Sequence, residues 1–295
     1  MVKRSARDRL RRANGLDDGS ATKRDAEKPQ AAPVRGGASL RAYLQQRADR
    51  GRRSAMRPTE PVELPKGREI ENDFGRFFLR RIEVPLSEHH GRHRFEHLAE
   101  VDWDRVAHWA KDEAFRSAEL SDCLFLDTET TGLSGGAGTM VFLTGLGFVE
   151  GEHFVVEQAF LRSMEEERAA LLHVAQRMEE FPVPVTFVGK SFDRHRLQSR
   201  MVLHDIESRV LTERHLDLYW CARRAWKRRL PDTRLRTVEE RRLFVVRDDD
   251  LPGSEAPRAW IDWLRDGTGP VDRVLEHNRI DVLSLGTLLV EIGLA

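Results

Sequence analysis

A short apolar run, Cys123-Leu-Phe-Leu126, ends on Asp127-Thr-Glu129. Four apolar residues bounded by polar ones suit a buried strand better than a helix, which needs a longer periodic stretch. Alternate side chains of an extended segment share a face, so Asp127 and Glu129 project together from the strand's end. Two carboxylates so placed are close enough to share a cation. A hard, oxygen-seeking ion such as Mg²⁺ takes one or two protein carboxylates alongside water and phosphate. Alone, the pair is unremarkable, because an Asp and a Glu as readily open a turn.

The segments around that strand alternate. Met140 to Val149 and His153 to Leu161, joined at Gly151, form a hairpin pattern. Glu165 to Glu180 carries Leu171, Leu172, Ala175 and Met178 at helical spacing. Pro184 to Val188 is a further strand, Ser191 to Leu203 a helix, His215 to Leu218 a last strand, and helices follow to the C-terminus. A three-strand meander followed by alternating helix and strand gives an α/β domain with a mixed β-sheet flanked by helices over residues 120–295. Residues 61–119 form a linker and strand-rich lead-in, with strand character from Phe74 to Pro85 and a short helix from Asp102 to Lys111.

The first 60 residues differ in kind. They hold 16 Lys and Arg against 7 Asp and Glu, a net +9, although the whole chain is neutral. Their apolar residues are scattered and cannot offset chain entropy, so a disordered basic N-terminal tail is expected, with one short helix at 39–48. A basic tail on an acidic body suits a phosphate-rich partner. The chain has no apolar stretch of membrane-spanning length and no apolar segment near its start of the kind a secretory signal uses. Cys123 and Cys221 have no paired spacing and are expected reduced and buried, in keeping with a cytoplasmic protein.

Two further carboxylates bear on the strand's end. Val274, His277, Asp281, Leu285, Leu288 and Ile292 recur every three or four residues and share one helical face. A carboxylate in an apolar stripe is costly unless a cation or hydrogen bonds compensate it. That cation is either a bound metal or a basic partner such as Arg236. Asp193 follows the 184–188 strand in the first turn of the next helix, with Ser191 as a candidate N-cap. An acid there also complements the helix dipole.

Taken in order, Asp127-Thr-Glu-Thr-Thr-Gly-Leu133, Phe192-Asp193 and His277-Asn-Arg-Ile-Asp281 resemble the three motifs of DEDD-type exonucleases. More closely, the chain resembles the YprB-like ribonuclease-H-like domain family. That likeness is carried by Gly189-Lys-Ser-Phe-Asp193, Leu251-Pro-Gly-Ser-Glu255, His277 to Leu285 and the lead-in from Phe74 to Gly91. The resemblance implies a ribonuclease-H-like fold and a 3′–5′ exonuclease acting on DNA or RNA. It also implies two divalent ions, Mg²⁺ or Mn²⁺, held by Asp127, Glu129, Asp193 and Asp281. His277 takes the place of a general base, and Leu133 that of the residue packed against the terminal base. Two positions depart from the pattern. Val188 stands where the second motif usually begins with Asn. His277 combines the spacing of the tyrosine-type enzymes with the residue of the histidine-type ones.

Around Tyr219 to Arg229, the residues Trp220, Arg223, Arg224 and Lys227 fall on one helical side, fit to stack a base and neutralise phosphates, or simply to be solvated. Lys190, beside Asp193, is a further candidate phosphate contact. His89, His90, His93 and His97 lack a nearby Cys and read as a polar loop rather than a zinc site. The glycines of Ser134 to Gly138 lack the Lys-Ser/Thr ending of a nucleotide loop and suit a hairpin connection. Two rivals to a nuclease are a non-catalytic nucleic-acid-binding module of the same fold and a scaffold that uses the tail as its adaptor. Binding of divalent ions separates the enzyme from both.

Overall fold

A computed structural model describes residues 60–132, 139–207 and 214–295. The basic tail, its expected helix at 39–48, Leu133 and the glycines 135–138 lie outside the described residues.

A seven-stranded mixed sheet runs through the body. Its strands are β1 (Arg68–Asn72), β2 (Gly75–Pro85), β5 (Cys123–Thr130), β6 (Val141–Glu150), β7 (His153–Phe160), β8 (Val183–Thr186) and β9 (Leu216–Asp217), in the order β1-β2-β7-β6-β5-β8-β9. Two short strands, β3 (His89–His90) and β4 (His93–Arg94), pair only with each other. β1, β2, β7, β6 and β5 are antiparallel neighbours, whereas β8 and β9 join in parallel. The lead-in strand β2 pairs with β7 from Phe78↔Phe160 to Pro85↔His153, so the sheet continues through the lead-in.

Helices cover both faces. They are α1 (Trp103–Ala110), α2 (Glu167–Glu180), α3 (Asp193–Leu203), α4 (Leu218–Trp226), the short α5 (Leu235–Val238), α6 (Ala256–Asp266) and α7 (Val271–Leu294). The alternation of β5 sorts the core. Leu124 and Leu126 belong with Phe142, Ala169, Val174, Leu197 and Trp260 on one face. Cys123 and Phe125 belong with Val106, Ala222, Trp226, Val282 and Leu288 on the other. Phe142 and Trp260 stack with ring centres 4.9 Å apart, and Trp260 Nε1 donates to the Leu161 carbonyl at 2.8 Å, so the indole buries its ring without orphaning its polar atom. Cys123 and Cys221 are both buried and free. Among the described residues no helix is long and apolar enough to cross a membrane.

Local signals set several helix ends. The Asp102 carboxylate accepts from the backbone N–H groups of Asp104 and Arg105, capping α1. α6 begins with a proline in its first turn and stops at Gly267, whose φ of +78° places it in the left-handed region. Ser191 is not the cap of α3: that position belongs to Phe192, with no side-chain capping bond. α7 also differs from a simple one-sided stripe. From Asp281 to Gly293 it is buried all round, because it touches β5, β6 and β7 as well as α1, α4 and the turn at Phe95–Glu100.

Two glycines let α7 come so close. A Cβ on Gly145 would lie 2.3 Å from Asn278 Oδ1, and one on Gly147 would lie 2.6 Å from a Val282 methyl. With no side chains at these two positions of β6, the helix settles onto the sheet beside the end of β5.

Candidate active site

Asp127 and Glu129 occupy the last turns of β5, on the face α7 covers, and the β5–β6 register slips at Glu129/Thr130. Such a bulge re-aims side chains at a strand end. Gly145 is the cross-strand partner of Asp127, and Gln158 is the partner of Gly145 on β7. Over this row lies Asn278, whose side-chain amide donates to Asp127 Oδ2 at 2.8 Å while its own Oδ1 accepts from Gln158 Nε2 at 2.8 Å. Gln158 Oε1 in turn accepts from Arg80 Nη1 of β2 at 3.2 Å. The fixed charge of Arg80 thereby orients both amides, so that Asp127 meets a donor and not an acceptor.

Asp193 opens α3 from the opposite side of the strand and accepts a hydrogen bond from the Thr128 hydroxyl. The loop before it, Val188 to Lys190, is gathered by Asp217, which accepts from the backbone N–H of Val188 at 2.9 Å and of Lys190 at 3.2 Å. The same carboxylate accepts from Tyr219 N at 3.1 Å and caps α4. Val188 sits at φ +67°, a conformation that β-branched residues rarely adopt. The place where the sequence departs from Asn is therefore a place where Asn would be easier to accommodate.

α7 delivers His277, Asn278 and Asp281. His277 Nε2 lies 3.5 Å from Asp281 Oδ2 and 4.0 Å from Glu129 Oε1. Its other nitrogen, Nδ1, is 2.6 Å from Asp250 Oδ1. Asp281 does have a basic partner, but it is Arg247 and not Arg236, which pairs with Glu240 on the surface. Arg247 also grips Glu239, with an Nε–Oε2 distance of 2.9 Å. Glu239 begins a π-helical turn (Glu239–Leu243), a form that recurs at functional sites.

Electrostatics distinguish the four sequence-predicted acids. Burial pushes the Asp127 carboxyl well above the usual range, and the charges of Asp281, Glu129 and Asp193 push it further. Burial likewise raises Glu129, followed by Asp281, Asp193 and Asp250. Asp193 is pushed up to about 7, by burial first and then by Asp217 and Asp281, against the opposing Thr128 hydrogen bond. Among the described residues no Lys or Arg forms an ion pair with Asp127, Glu129 or Asp193, whose side-chain hydrogen-bond donors are neutral where they exist. Nor do three His, Cys, Asp or Glu side chains close into a ready-made metal cage among the described residues. The donors themselves, all carboxylate oxygens at a strand end, match a hard divalent cation.

The outer residues separate. Arg223 and Lys227, with Phe187, Val188, Tyr219 and Arg234, line a groove of about 410 Å³ beside the Val188 loop. Arg223 donates to the Tyr219 hydroxyl at 3.0 Å and lies over the half-exposed Trp220 ring at 5.9 Å. Arg224 turns away and donates to the Trp109 carbonyl at 2.6 Å, at the end of α1. In the histidine-rich loop, His90 meets Ser284 at 2.8 Å and His93 meets Glu291 at 2.7 Å. Asp250, Arg247, Asn278, Gln158 and Arg80 were missed by the sequence reading. Only Gln158 offered a signal, as one of two adjacent polar residues in a largely apolar strand.

Several known proteins are similar to this chain. The profile of the RNase_H superfamily matches residues 124–292. The uncharacterized protein YprB of Bacillus subtilis (strain 168) is 33% identical over 221 residues, spanning 73% of this chain and 52% of that protein. The chain thus spans about half the length of this curated relative. Among solved structures, the family B DNA polymerase from the hyperthermophilic archaeon Pyrobaculum calidifontis is 18% identical, with a TM-score of 0.43, covering 59% of this chain and 27% of that one.

Proposed function

The chain belongs to the RNase H superfamily and carries a YprB-like ribonuclease-H-like domain, and from that premise we propose that it is a divalent-metal-dependent nuclease. The reaction is hydrolysis of a phosphodiester bond in DNA or RNA, with 3′–5′ exonuclease action as its form. One observation carries this reading. Glu129 and Asp193 are buried with Asp127 half-buried beside them, and no Lys or Arg pairs with any of the three among the described residues, which is costly unless a cation completes the site.

Asp127, Glu129, Asp193 and Asp281 would hold Mg²⁺ or Mn²⁺, two ions in all. Bound ions supply Lewis acidity to the scissile phosphate and lower the pKa of the attacking water. The residues do the remainder. Asn278, held through Gln158 by Arg80, fixes the Asp127 carboxylate. Thr128 fixes Asp193. His277 presents Nε2 to the same space and accepts the water's proton. Arg223 and Lys227 line a groove suited to the phosphates of a single strand, with Tyr219 and Trp220 beside them for stacking. Lys190 adds charge near that groove, and the net +9 of residues 1–60 gives the chain further affinity for phosphate.

Arg247 favours a second reading. It already neutralises Asp281, so the domain could bind nucleic acid without cutting it. Purified protein with labelled single- and double-stranded DNA and RNA, in Mn²⁺ or in EDTA, tests the two. Cleavage in Mn²⁺ alone is the expected result. Binding without cleavage, in Mn²⁺ as in EDTA, would establish the second reading and sink the first.

A further inference from the structure

Asp250 belongs to none of the three motifs, yet it makes the shortest contact to His277. Its Oδ1 lies 2.6 Å from His277 Nδ1, and its side chain is 9% exposed. On the far edge of the ring, Nε2 faces Asp281 and Glu129. Resting on the nuclease reading, we propose that Asp250 is a positioning residue, which holds the His277 proton on Nδ1 and leaves the Nε2 lone pair facing the acid cluster.

A ring nitrogen and a carboxylate oxygen 2.6 Å apart need a proton between them, because two lone pairs at that distance repel. An ionised carboxylate has none to give, so the proton sits on Nδ1. A competing donor exists: Arg247 Nη1 lies 3.3 Å from the same nitrogen. That contact is longer, and the guanidinium is already engaged by Glu239 and Asp281 and stands 3.7 Å from the other oxygen of Asp250. The carboxylate therefore sets the tautomer. Arg247, 3.7 Å from Asp250 Oδ2, instead holds that carboxylate turned toward the ring.

Fixing Nδ1–H has a chemical consequence at the other edge. Nε2 is left as the ring's proton acceptor, 3.5 and 4.0 Å from the nearest carboxylate oxygens, with its lone pair among acceptors and unable to bond them directly. A water in that space donates one O–H to Nε2. In the reacting step this O–H bond breaks and its proton passes to Nε2. The water oxygen bonds to phosphorus, and the ester P–O bond breaks. The leaving oxygen then takes a proton from solvent, and the imidazolium returns its own to solvent. The opposite tautomer would put a hydrogen where the lone pair is needed. A carboxylate that holds a catalytic imidazole in one tautomer is a known arrangement in hydrolases, where its amide replacement keeps the shape and loses the rate.

The test uses the full chain and Asp250→Asn. The amide matches the carboxylate in size but donates to Nδ1, which moves the ring proton to Nε2. Nitrogen-15 NMR of the histidine rings, with His277 assigned by its loss in His277→Gln, reads the tautomer directly. The expected result is a protonated Nδ1 in the wild type and a protonated Nε2 in Asp250→Asn. Hydrolysis should fall about 10²–10⁴-fold in the variant, with the Mn²⁺ dissociation constant and urea midpoint unchanged, and Asp250→Glu should recover part of the rate. Protonated Nε2 in the wild type, or the same tautomer and rate in both proteins, overturns the proposal. If the wild type cleaves no nucleic acid but the tautomer switches as described, the nuclease reading falls and the positioning role stands.

Discussion

Arg247 reaches Asp281 across 34 residues of sequence, and the same guanidinium nitrogen touches Glu239. All three side chains are removed from water, with exposures of 4%, 12% and 1% for Arg247, Asp281 and Glu239. Burial alone would lower the guanidinium pKa, but Asp281 and Glu239 outweigh it and raise it, so this cation is permanent. It stands beside the acid cluster in the place a counter-ion would take.

Removing it should expose how much the cluster depends on positive charge. Arg247→Ala leaves two carboxylates without their partner, and stability should fall by about 3–5 kcal/mol in EDTA. Mn²⁺ should restore part of that loss by taking over Asp281. Urea midpoints with and without Mn²⁺ measure both effects. An equal loss in the two conditions would mean that no ion reaches Asp281.

Asp127→Asn acts in the opposite direction. It removes one of four mutually repelling buried carboxylates while keeping an oxygen to accept from Asn278. The ion-free protein should gain about 1–2 kcal/mol, and nuclease activity should disappear. Thermal unfolding in EDTA and a cleavage assay in Mn²⁺ check the two halves. Wild-type turnover would remove Asp127 from the mechanism.

Val188 holds a left-handed conformation that costs a β-branched residue about 1–2 kcal/mol. Its side chain is 39% exposed, so little burial is lost on replacing it. Val188→Asn should therefore stabilise the protein by about 1 kcal/mol, read as a shift of the urea midpoint at constant slope. An unchanged or lower midpoint would mean that the valine's contacts outweigh its strain.

Glu157 gives the clearest acid dependence. Burial would raise its pKa, but His173 and Arg177 donate to it and bring it to about 2. Its unfolded value is near 4.5. The folded pKa is depressed, so the stabilisation is present above about pH 4.5 and is lost as pH falls toward 2. A shift of this size corresponds to about 3 kcal/mol. Glu157→Gln should be the weaker protein at pH 6 and lose less stability than the wild type between pH 6 and pH 3. Parallel urea curves across that range would contradict the assignment.

The succession of strands and helices from Cys123 onward, and the faces that Asp127 with Glu129 and His277 with Asp281 share, were legible in the sequence because each rests on local period. Asp127 and Glu129 alternate on a strand, and His277 and Asp281 lie one helical turn apart. What holds them was not legible. Asp250 ends a run of three aspartates that reads as a solvated turn, and Arg80 sits in an arginine-rich strand that reads as an edge. Their roles arise where β2, β7, the 247–250 segment and α7 meet, and no local spacing encodes that meeting. The choice of Arg236 as partner of Asp281 failed for the same reason: nothing local in the sequence marks which arginine folds inward.

The placement of His277, Asn278 and Asp281 on the last helix has a consequence in time. A chain leaving the ribosome has made Asp127, Glu129 and Asp193 long before it makes residue 277. At about 5–20 residues per second, that interval is on the order of ten seconds. Until α7 docks against Gly145 and Gly147 the acids have no cover, and the β5 face that buries Phe125 lies open. Chains that end before α7 therefore leave these acids uncovered and offer exposed apolar surface to proteases.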